Sequence, residues 1–157
     1  MEILRIDQTD REAIDAFIIR QWYTLEMVAR GERVDLGGAD GWYAREGDGI
    51  VGLITCRVMG DEMEILSLDS LRENRGVGTA LLEAAVRAAR DAGLKRVTLI
   101  TTNDNLRALR FYQRRGFDMV RLYRNALEQA RRLKPEIPLV GMDDIPLRHE
   151  IELERML

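Results

Sequence analysis

The chain has 157 residues, of which 46% are hydrophobic and 32% are charged, a composition that fits one compact domain with a buried core. Its 24 basic and 27 acidic side chains give a net charge of −3 at pH 7, which argues against a nucleic acid or an anionic membrane as a partner. Cys56 is the single cysteine, so an internal disulfide and a cysteine-rich metal site are excluded and a reducing cytoplasm is expected.

The N-terminal part of the chain predicts a strand, two helices and a loop. Glu2–Ile6 alternates between apolar and polar residues like a short strand, and Thr9 and Glu12 have the spacing of a capping box at a helix start. The first residues lack the basic start and apolar core of a signal peptide, and no apolar run approaches the length of a membrane span. Gly31–Gly41 is glycine-rich and resembles a lid or substrate rim. The apolar positions of the second helix are Trp22, Leu25 and Val28.

An antiparallel meander and a long helix are predicted next. Two turn signals, Glu46–Gly49 and Gly60–Asp61, separate three closely spaced strands. A helical face then follows, and Gly93 supplies a stop signal; the residues on that face are Val77, Leu81, Ala84, Ala85, Ala88, Ala89 and Ala92. This alanine-rich helix is expected to pack close to a sheet. The three strands are Trp42–Arg45, Ile50–Val58 and Glu62–Asp69.

Strands and helices alternate in the second half of the chain, which predicts a mixed α/β fold. A loop punctuated by Pro135, Pro138 and Pro146 precedes the last strand. The predicted elements, in chain order, are the strand Arg96–Thr102, the helix Asp104–Arg115 closed by Gly116, the strand Phe117–Tyr123, the helix Asn125–Leu133 and the strand Leu147–Leu153.

The segment Leu66–Leu82 runs from a strand through a pair of glycines directly into a helix. Unpaired N–H groups and a partial positive charge at a helix N-terminus attract anions, and Gly76 and Gly78 let a diphosphate approach the backbone closely. Arg75 adds a full positive charge beside them. No Walker loop is present, and Leu81 stands where a dinucleotide fingerprint needs glycine. On this motif alone, the glycines either hold a nucleotide-like cofactor or merely shape a turn.

Residues Glu73–Gly78 resemble the diphosphate signature of the GNAT family of N-acetyltransferases, which is Gln or Arg followed by x-x-Gly-x-Gly or Ala. Glu73 departs from that pattern because it stands at the Gln or Arg position. The resemblance implies that this backbone cradles acetyl-CoA and that the preceding strand is bulged at Leu66–Leu68, where its backbone meets the pantetheine arm. The implied cofactor-binding residues are Leu66, Leu68, Asn74, Arg75, Gly76, Val77, Gly78, Thr79 and Asn105.

A second motif, Thr101–Phe117, is similar to the family's other signature, in which an asparagine and a tyrosine frame a short helix before Gly-Phe. The spacing of Asn105, Ala108 and Tyr112 puts an amide and a phenol on one helix face. The resemblance implies that Asn105 binds the pantetheine arm and that Tyr112 lies at the sulfur. A phenol pKa of about 10 against about 8.5 for a thiol suits proton donation to the leaving thiolate, so Tyr112 is the candidate general acid. The alternative is an ordinary core tyrosine.

Deprotonation of the attacking amine calls for a base, because a lysine-like pKa of about 10.4 makes it cost roughly 4.6 kcal/mol at pH 7. Glu62 and Glu64 lie on one side of the strand before the glycine loop, where the resemblance implies a carboxylate. Glu64 is the candidate base, and a solvated strand carboxylate is the alternative. His149 is expected to be structural, since no Gly-x-Ser-x-Gly nucleophile elbow is present to make a triad with it.

The resemblance covers Ile50–Tyr123 in detail and implies a mixed, mostly antiparallel sheet, splayed between its fourth and fifth strands, with helices on both faces. We therefore expect residues 1–157 to form one N-acetyltransferase domain without a metal, which moves an acetyl group from acetyl-CoA to a primary amine by direct attack in a ternary complex. A non-catalytic acetyl-CoA-binding regulatory module is the alternative. The acceptor is a polyamine, an amino-acid-like metabolite, an antibiotic amine or a protein amine. The chain is a monomer or a homodimer, and residues 125–157 complete the pocket, exchange with a partner or cover the sheet.

Overall fold

The computed structural model describes residues 1–157, which form nine strands, four α-helices and two short 3-10 turns at Gln8–Asp10 and Met142–Asp144. The predicted mixed α/β class, with mostly antiparallel strands, is confirmed. None of the helices is both long and apolar enough to cross a membrane. The strands are β1 (Glu2–Arg5), β2 (Glu26–Ala29), β3 (Glu32–Asp35), β4 (Asp40–Glu46), β5 (Gly49–Met59), β6 (Glu62–Ser70), β7 (Arg96–Thr102), β8 (Asp118–Tyr123) and β9 (Glu150–Met156). The helices are α1 (Arg11–Trp22), α2 (Val77–Asp91), α3 (Leu106–Gln113) and α4 (Ala126–Leu133).

The chain divides into two compact units. The first contains Met1–Glu26, Asp35–Val97 and Leu157, and the second contains Met27–Val34 and Thr98–Met156. In the first unit, strands β1, β4, β5 and β6 are neighbours in that order, and each neighbouring pair is antiparallel. The predicted meander of β4, β5 and β6 is thus confirmed.

Helix α2 packs closely against β5 in the first unit. A Cβ added to Gly52 would lie 2.6 Å from Cγ1 of Val77 and 3.0 Å from Cδ1 of Leu81, so only glycine allows this approach. The predicted close packing is confirmed, and it holds the first residue of the helix, Val77, against the sheet. The buried face differs from the predicted one, because Leu82 and Val86 belong to it and Ala92 is exposed. The buried residues of α2 are Val77, Leu81, Leu82, Ala85, Val86 and Ala89.

The start of the first helix differs from the prediction. Its capping box is formed by Asp7 and Asp10, and not by Thr9 and Glu12. Asp7 Oδ1 accepts hydrogen bonds from the backbone N–H groups of Thr9 (2.8 Å) and Asp10 (3.2 Å), and the Asp7 N–H donates to Asp10 Oδ2 at 3.3 Å. The extended backbone of Asp7 makes it the cap, so the chain enters a 3-10 turn before α1 begins.

The second helix predicted over Trp22–Val28 is wrong. Tyr23 adopts a left-handed conformation (φ 63°) that ends α1, and the chain then forms the hairpin of β2 and β3. Arg30 and Gly31 both have positive φ (52° and 72°), which is the geometry of a two-residue hairpin turn. Arg-Gly is a weaker turn signal than Asn-Gly or Asp-Gly, so the predicted loop Gly31–Gly41 contains a strand that the sequence pattern did not reveal.

In the second unit, β7, β9 and β8 are neighbours in that order, and β8 and β9 are antiparallel with Tyr123 opposite Glu150. The predicted helix before Arg115 begins at Leu106, two residues later than expected. The predicted last strand begins at Glu150, because Leu147 lies in an irregular segment that packs against α4. The core under α4 consists of Leu127, Ala130 and Leu147, with Val28 and Ile137 packed against them.

Candidate functional site

The loop between β6 and α2 presents an open backbone. Its residues from Leu71 to Gly76 are exposed, and Asn74 (φ 57°) and Gly76 (φ 77°) are both left-handed. Gly76 is the N-cap of α2, where no side chain caps the helix. A Cβ added to Gly76 would meet no atom within 4 Å, so the space where a side chain of this residue would lie is free of protein.

The first turn of α2 leaves backbone donors without protein partners. The first intrahelical hydrogen bond runs from the Ala80 N–H to the Gly76 carbonyl at 2.9 Å. No protein atom accepts a hydrogen bond from the N–H of Val77 or Gly78. These two donors lie at the positive end of the helix dipole, so an anion placed there would gain both hydrogen bonds and electrostatic attraction.

The predicted diphosphate residues Asn74–Thr79 all lie in this loop and first turn. Arg75 is exposed and makes no ion pair, whereas Arg72 pairs with Glu46 at 3.4 Å. A free guanidinium beside two free amides gives the loop a local positive charge in a chain whose net charge is −3. The arrangement is suited to a phosphate-bearing ligand.

Strand β6 carries a bulge before the loop. Its pairing with β5 runs from Thr55 opposite Ser67 to Cys56 opposite Ile65, which leaves Leu66 as an extra residue. Leu66 is buried and Leu68 is half-buried. The bulge thus lies within the predicted stretch Leu66–Leu68, and a bulge of this kind leaves a residue unpaired and bends the strand.

Both strand carboxylates named as candidate bases are ion-paired. Glu64 is buried, and its Oε1 accepts from Nε and Nη2 of Arg57 on β5, each at 2.8 Å. Glu62 Oε2 accepts from Nε and Nη2 of Arg96, each at 2.7 Å. A base at Glu64 would therefore accept a proton while its carboxylate is hydrogen-bonded to the Arg57 guanidinium.

Asp69 is a third carboxylate of β6 that was not predicted from the sequence. It is half-buried, and its Oδ2 accepts a hydrogen bond from the indole Nε1 of Trp22 at 2.8 Å. Burial raises the pKa of Asp69, and the indole hydrogen bond opposes that rise. No local signal predicted this contact, since it depends on how the end of α1 packs in the first unit.

Replacing Asp69 with asparagine is expected to raise the melting temperature at pH 7. Because the pKa is raised on folding, the folded chain holds this proton more tightly than the unfolded chain, so stability falls as pH rises from the ordinary value of about 3.9 through the raised value. Asparagine keeps an oxygen for the Trp22 hydrogen bond and removes the charge. Thermal unfolding scans should show the gain at pH 7 and its loss at pH 3. Asp48→Asn, which lies in an exposed turn, is the control and should leave the melting temperature unchanged at both pH values. The prediction is contradicted if D69N is no more stable than wild type at pH 7.

In the second unit, Asn105 and Tyr112 lie at the start and near the end of α3. Asn105 is the N-cap, and its Oδ1 accepts from the Ala108 N–H at 3.1 Å, which leaves the side-chain NH₂ without a hydrogen-bond partner. Tyr112 is buried, and its ring packs edge-to-face against Phe111 (centroids 5.1 Å apart) and Phe117 (5.3 Å). The aromatic contacts fix the orientation of the phenol ring.

Three neighbouring side chains anchor the entry to α3, and two of them were missed in the sequence. The buried Asp104 accepts from Thr102 Oγ1 and from the Met142 N–H at 2.9 Å. Asn103 Oδ1 accepts from the N–H groups of residues 148 and 149 at 3.0 and 2.9 Å. Together with the Asn105 cap, these bonds hold the start of the helix rigidly.

His149 makes the kind of structural contact expected for a histidine that has no nucleophile elbow to form a triad with. Its Nδ1 accepts from the backbone N–H of Asn125 at 2.9 Å, so the ring caps the residue that precedes α4.

Comparison with known proteins identifies the family. The sequence model of the acetyltransferase (GNAT) family matches residues 3–117 of this chain. The uncharacterized protein YxbD of Bacillus subtilis (strain 168) is 44% identical over 158 residues, which cover 100% of this chain and 99% of that protein. The structure of the IAA acetyltransferase from Bacillus cereus ATCC 14579 shares the fold at a TM-score of 0.74 and 22% identity, over 99% of each chain. A Bacillus subtilis acetyltransferase in complex with CoA matches at a TM-score of 0.72 and 18% identity, over 99% of this chain and 98% of that one. The chain belongs to the GNAT acetyltransferase family, whose cosubstrate is acetyl-CoA.

Proposed function

We propose that this chain is an N-acetyltransferase that moves the acetyl group of acetyl-CoA to a primary amine by direct attack in a ternary complex. The amine nitrogen forms a bond to the acetyl carbon and loses a proton to a base, the carbon–sulfur bond breaks, and the sulfur leaves as CoA after taking a proton from an acid. One observation carries the proposal: in a chain of the GNAT family, the N–H groups of Val77 and Gly78 lie unpaired at an open helix end beside a free Arg75.

The diphosphate of acetyl-CoA is assigned to this helix end. Each hydrogen bond between a backbone N–H and a charged phosphate oxygen contributes about 1.5 to 3 kcal/mol. Two such bonds therefore account for a factor of about 10² to 10⁴ in the dissociation constant. Arg75 adds an attraction that rising salt should weaken. The exposed loop before Gly76 supports the assignment, because no side chain caps the helix end to which the diphosphate is assigned.

Tyr112 is assigned as the general acid that protonates the departing CoA thiolate. Its ring orientation is held by Phe111 and Phe117, so the hydroxyl direction is set before the cosubstrate binds. Asn105, the N-cap of the same helix, is assigned to the pantetheine arm, which its unpaired NH₂ can meet as a donor. The bulge at Leu66, with Leu68 after it, is assigned to the same arm through backbone groups.

Glu64 is assigned as the base, directly or through a water molecule. Glu64→Gln is expected to lower kcat and to remove the acid limb of its pH profile, because glutamine cannot accept the proton of the amine. Glu2→Gln is a matched control, since Glu2 is also a strand carboxylate paired with an arginine, at 2.6 Å from Arg45. If E64Q loses stability but keeps kcat and its pH profile, Glu64 is a structural partner of Arg57.

The acetyltransferase is tested with purified protein in two steps. Calorimetric titration should show acetyl-CoA binding, and a panel of amines should then release free CoA, detected as a thiol. A non-catalytic acetyl-CoA-binding module would bind the cosubstrate and release no thiol with any amine. Absence of acetyl-CoA binding at millimolar concentration would contradict both functions.

The proposal includes one catalytic domain over residues 1–157, located in the cytoplasm and acting on a small-molecule or protein amine. Cys56 is buried and unpaired, and burial raises the pKa of its thiol, so it is an inert core residue. An unpaired thiol in the core suits a reducing compartment.

A further inference from the structure

A cleft of about 510 Å³ lies within the second unit, where the turn of the β2–β3 hairpin faces the end of β8 and the start of β9. Its volume is in the range of small-molecule sites. None of the residues assigned to acetyl-CoA or to proton transfer lines it. The lining residues that matter here are Arg30, Tyr123, Arg124, Glu128, Arg132 and Glu150.

Glu150 brings a buried carboxylate to this cleft. Glu150 is only 3% exposed, and its Oε1 accepts one hydrogen bond, from the Arg30 backbone N–H at 3.1 Å. No hydrogen bond reaches Oε2. Burial raises the pKa of Glu150. This oxygen has no protein donor, so it is available to a ligand in the cleft that supplies one.

The charge of Arg30 also attracts Glu150, but its guanidinium hydrogen-bonds to a different carboxylate. The Arg30 guanidinium donates through Nη2 to Glu152 Oε1 at 2.7 Å, and the Tyr123 hydroxyl donates to the same oxygen at 3.3 Å. Glu152 is therefore neutralised by protein groups, whereas the second oxygen of Glu150 is left for a donor from outside the chain. An ammonium group, with three N–H donors, fits this requirement.

Two cations of the cleft have no partner. Arg124, which follows β8, and Arg132, in the last turn of α4, are exposed and make no hydrogen bond or ion pair. Glu128 lines the same cleft and is exposed without pairing to either arginine. Arg131 shows the contrast, because its guanidinium donates to three backbone carbonyls and is part of the scaffold. Two free guanidinium groups favour a ligand oxyanion, to which each can donate a pair of parallel N–H hydrogen bonds.

We propose that this cleft is the acceptor subsite and that it binds a small primary amine that also carries an oxyanion, with the ammonium at Glu150 and the oxyanion at Arg124 and Arg132. The inference rests on the proposed function and narrows its acceptor to amino-acid-like or phosphate-bearing amines. Polyamines and polycationic antibiotics are disfavoured, since the two free arginines repel additional positive charge.

The proposal is tested with pairs of amines that differ only in the oxyanion. The pairs are γ-aminobutyrate against n-butylamine, L-alanine against L-alaninamide, and O-phosphoethanolamine against ethanolamine, which separates carboxylate from phosphate. Putrescine adds a dication. At least one oxyanion amine should show a kcat/KM about tenfold or more above that of the matched amine without the oxyanion, a factor that one charge-assisted contact supplies. Equal rates for every pair, or a preference for putrescine, would overturn the proposal while leaving the acetyltransferase intact.

Variants locate the effect in the cleft. The double variant Arg124→Gln/Arg132→Gln should abolish the advantage of the oxyanion amine by raising its KM, with the Kd of acetyl-CoA unchanged. Glu150→Gln should raise KM for both members of the pair, because the ammonium loses its charged partner. Arg90→Gln is the matched control, since Arg90 is an exposed arginine in the last turn of α2, outside the cleft. An advantage that survives in the double variant contradicts the assignment.

A direct binding measurement tests the ligand of the cleft independently of acetyltransferase activity. Saturation-transfer NMR with the same amines, on wild type and on the double variant, reports occupancy of the cleft without turnover. If no oxyanion amine binds, the cleft is not the acceptor subsite, even where acetyl-CoA is bound and turned over. If oxyanion amines bind but acetyl-CoA does not, the ligand class of the cleft stands and the acetyltransferase assignment fails.

Discussion

Tyr112→Phe is expected to lower kcat by about 10²- to 10⁴-fold, the usual contribution of a positioned general acid. Phenylalanine keeps the ring and its edge-to-face contacts with Phe111 and Phe117, so the fold of α3 should persist. Only the hydroxyl is lost, and with it the proton for the leaving thiolate. Steady-state kinetics should show the loss in kcat, and calorimetry should show acetyl-CoA bound with nearly the affinity of wild type.

Tyr43→Phe is the matched control for this prediction. Tyr43 is 5% exposed and Tyr112 is 6% exposed, so both substitutions remove a hydroxyl from a buried ring. The Tyr43 variant should keep kcat. If Y112F also keeps kcat, the hydroxyl of Tyr112 is not the acid, and the residue is a member of the aromatic core only. If wild type binds acetyl-CoA without turning over any amine, the regulatory module is the correct function.

Gly76→Ala should raise the Kd of acetyl-CoA by about 10- to 100-fold, which corresponds to the loss of one charge-assisted hydrogen bond or more. The positive φ of 77° is unfavourable for alanine by about 1–2 kcal/mol, and relief of that strain moves the Val77 and Gly78 amides away from their present direction. The added methyl also projects into the space that a diphosphate would occupy. Titration calorimetry with acetyl-CoA measures the change, and thermal unfolding measures the strain.

Gly93→Ala separates affinity from stability. Gly93 follows the other end of α2 with φ 72°, and a Cβ there also meets no atom within 4 Å. Both alanine variants should therefore lose about the same stability, roughly 1–2 kcal/mol. Only G76A should lose affinity for acetyl-CoA. Equal losses of affinity in the two variants, or wild-type affinity in G76A, would show that the diphosphate does not bind at this helix end.

Much of the fold could be predicted because its signals are local. The approximate bounds of β4, β5 and β6 follow from strand-like runs separated by glycine turns, and Gly93 marks the end of α2 at the expected place. The glycine loop with Arg75 was recognisable for the same reason, since strand, turn and helix lie within 17 residues of one another (Leu66–Leu82). The hairpin of β2 and β3 was not predicted because its Arg30-Gly31 turn lacks a strong sequence signature of a hairpin turn.

The polar contacts of the candidate site were beyond prediction because their partners are far apart in the sequence. Trp22 and Asp69 are 47 residues apart, Asp104 and Met142 are 38 apart, and Arg30 and Glu152 are 122 apart. A sequence shows which residues can ionise, but the burial and the partners that tune them exist only after folding. The roles of Asn105, Tyr112 and Glu64 remain predictions for the experiments above.

The sequence by itself determined the order of the elements from β4 to β9, the open glycine loop before α2 and the membership of the GNAT family, because each depends on short-range spacing of residue types. The tertiary structure alone decided which charged groups are satisfied. It paired Glu64 with Arg57 and Glu152 with Arg30, and it left Arg75, Arg124 and Arg132 free. The physical reason is that a charge is neutralised by whatever the fold brings within a few ångströms, and that distance is set by packing and not by separation along the chain.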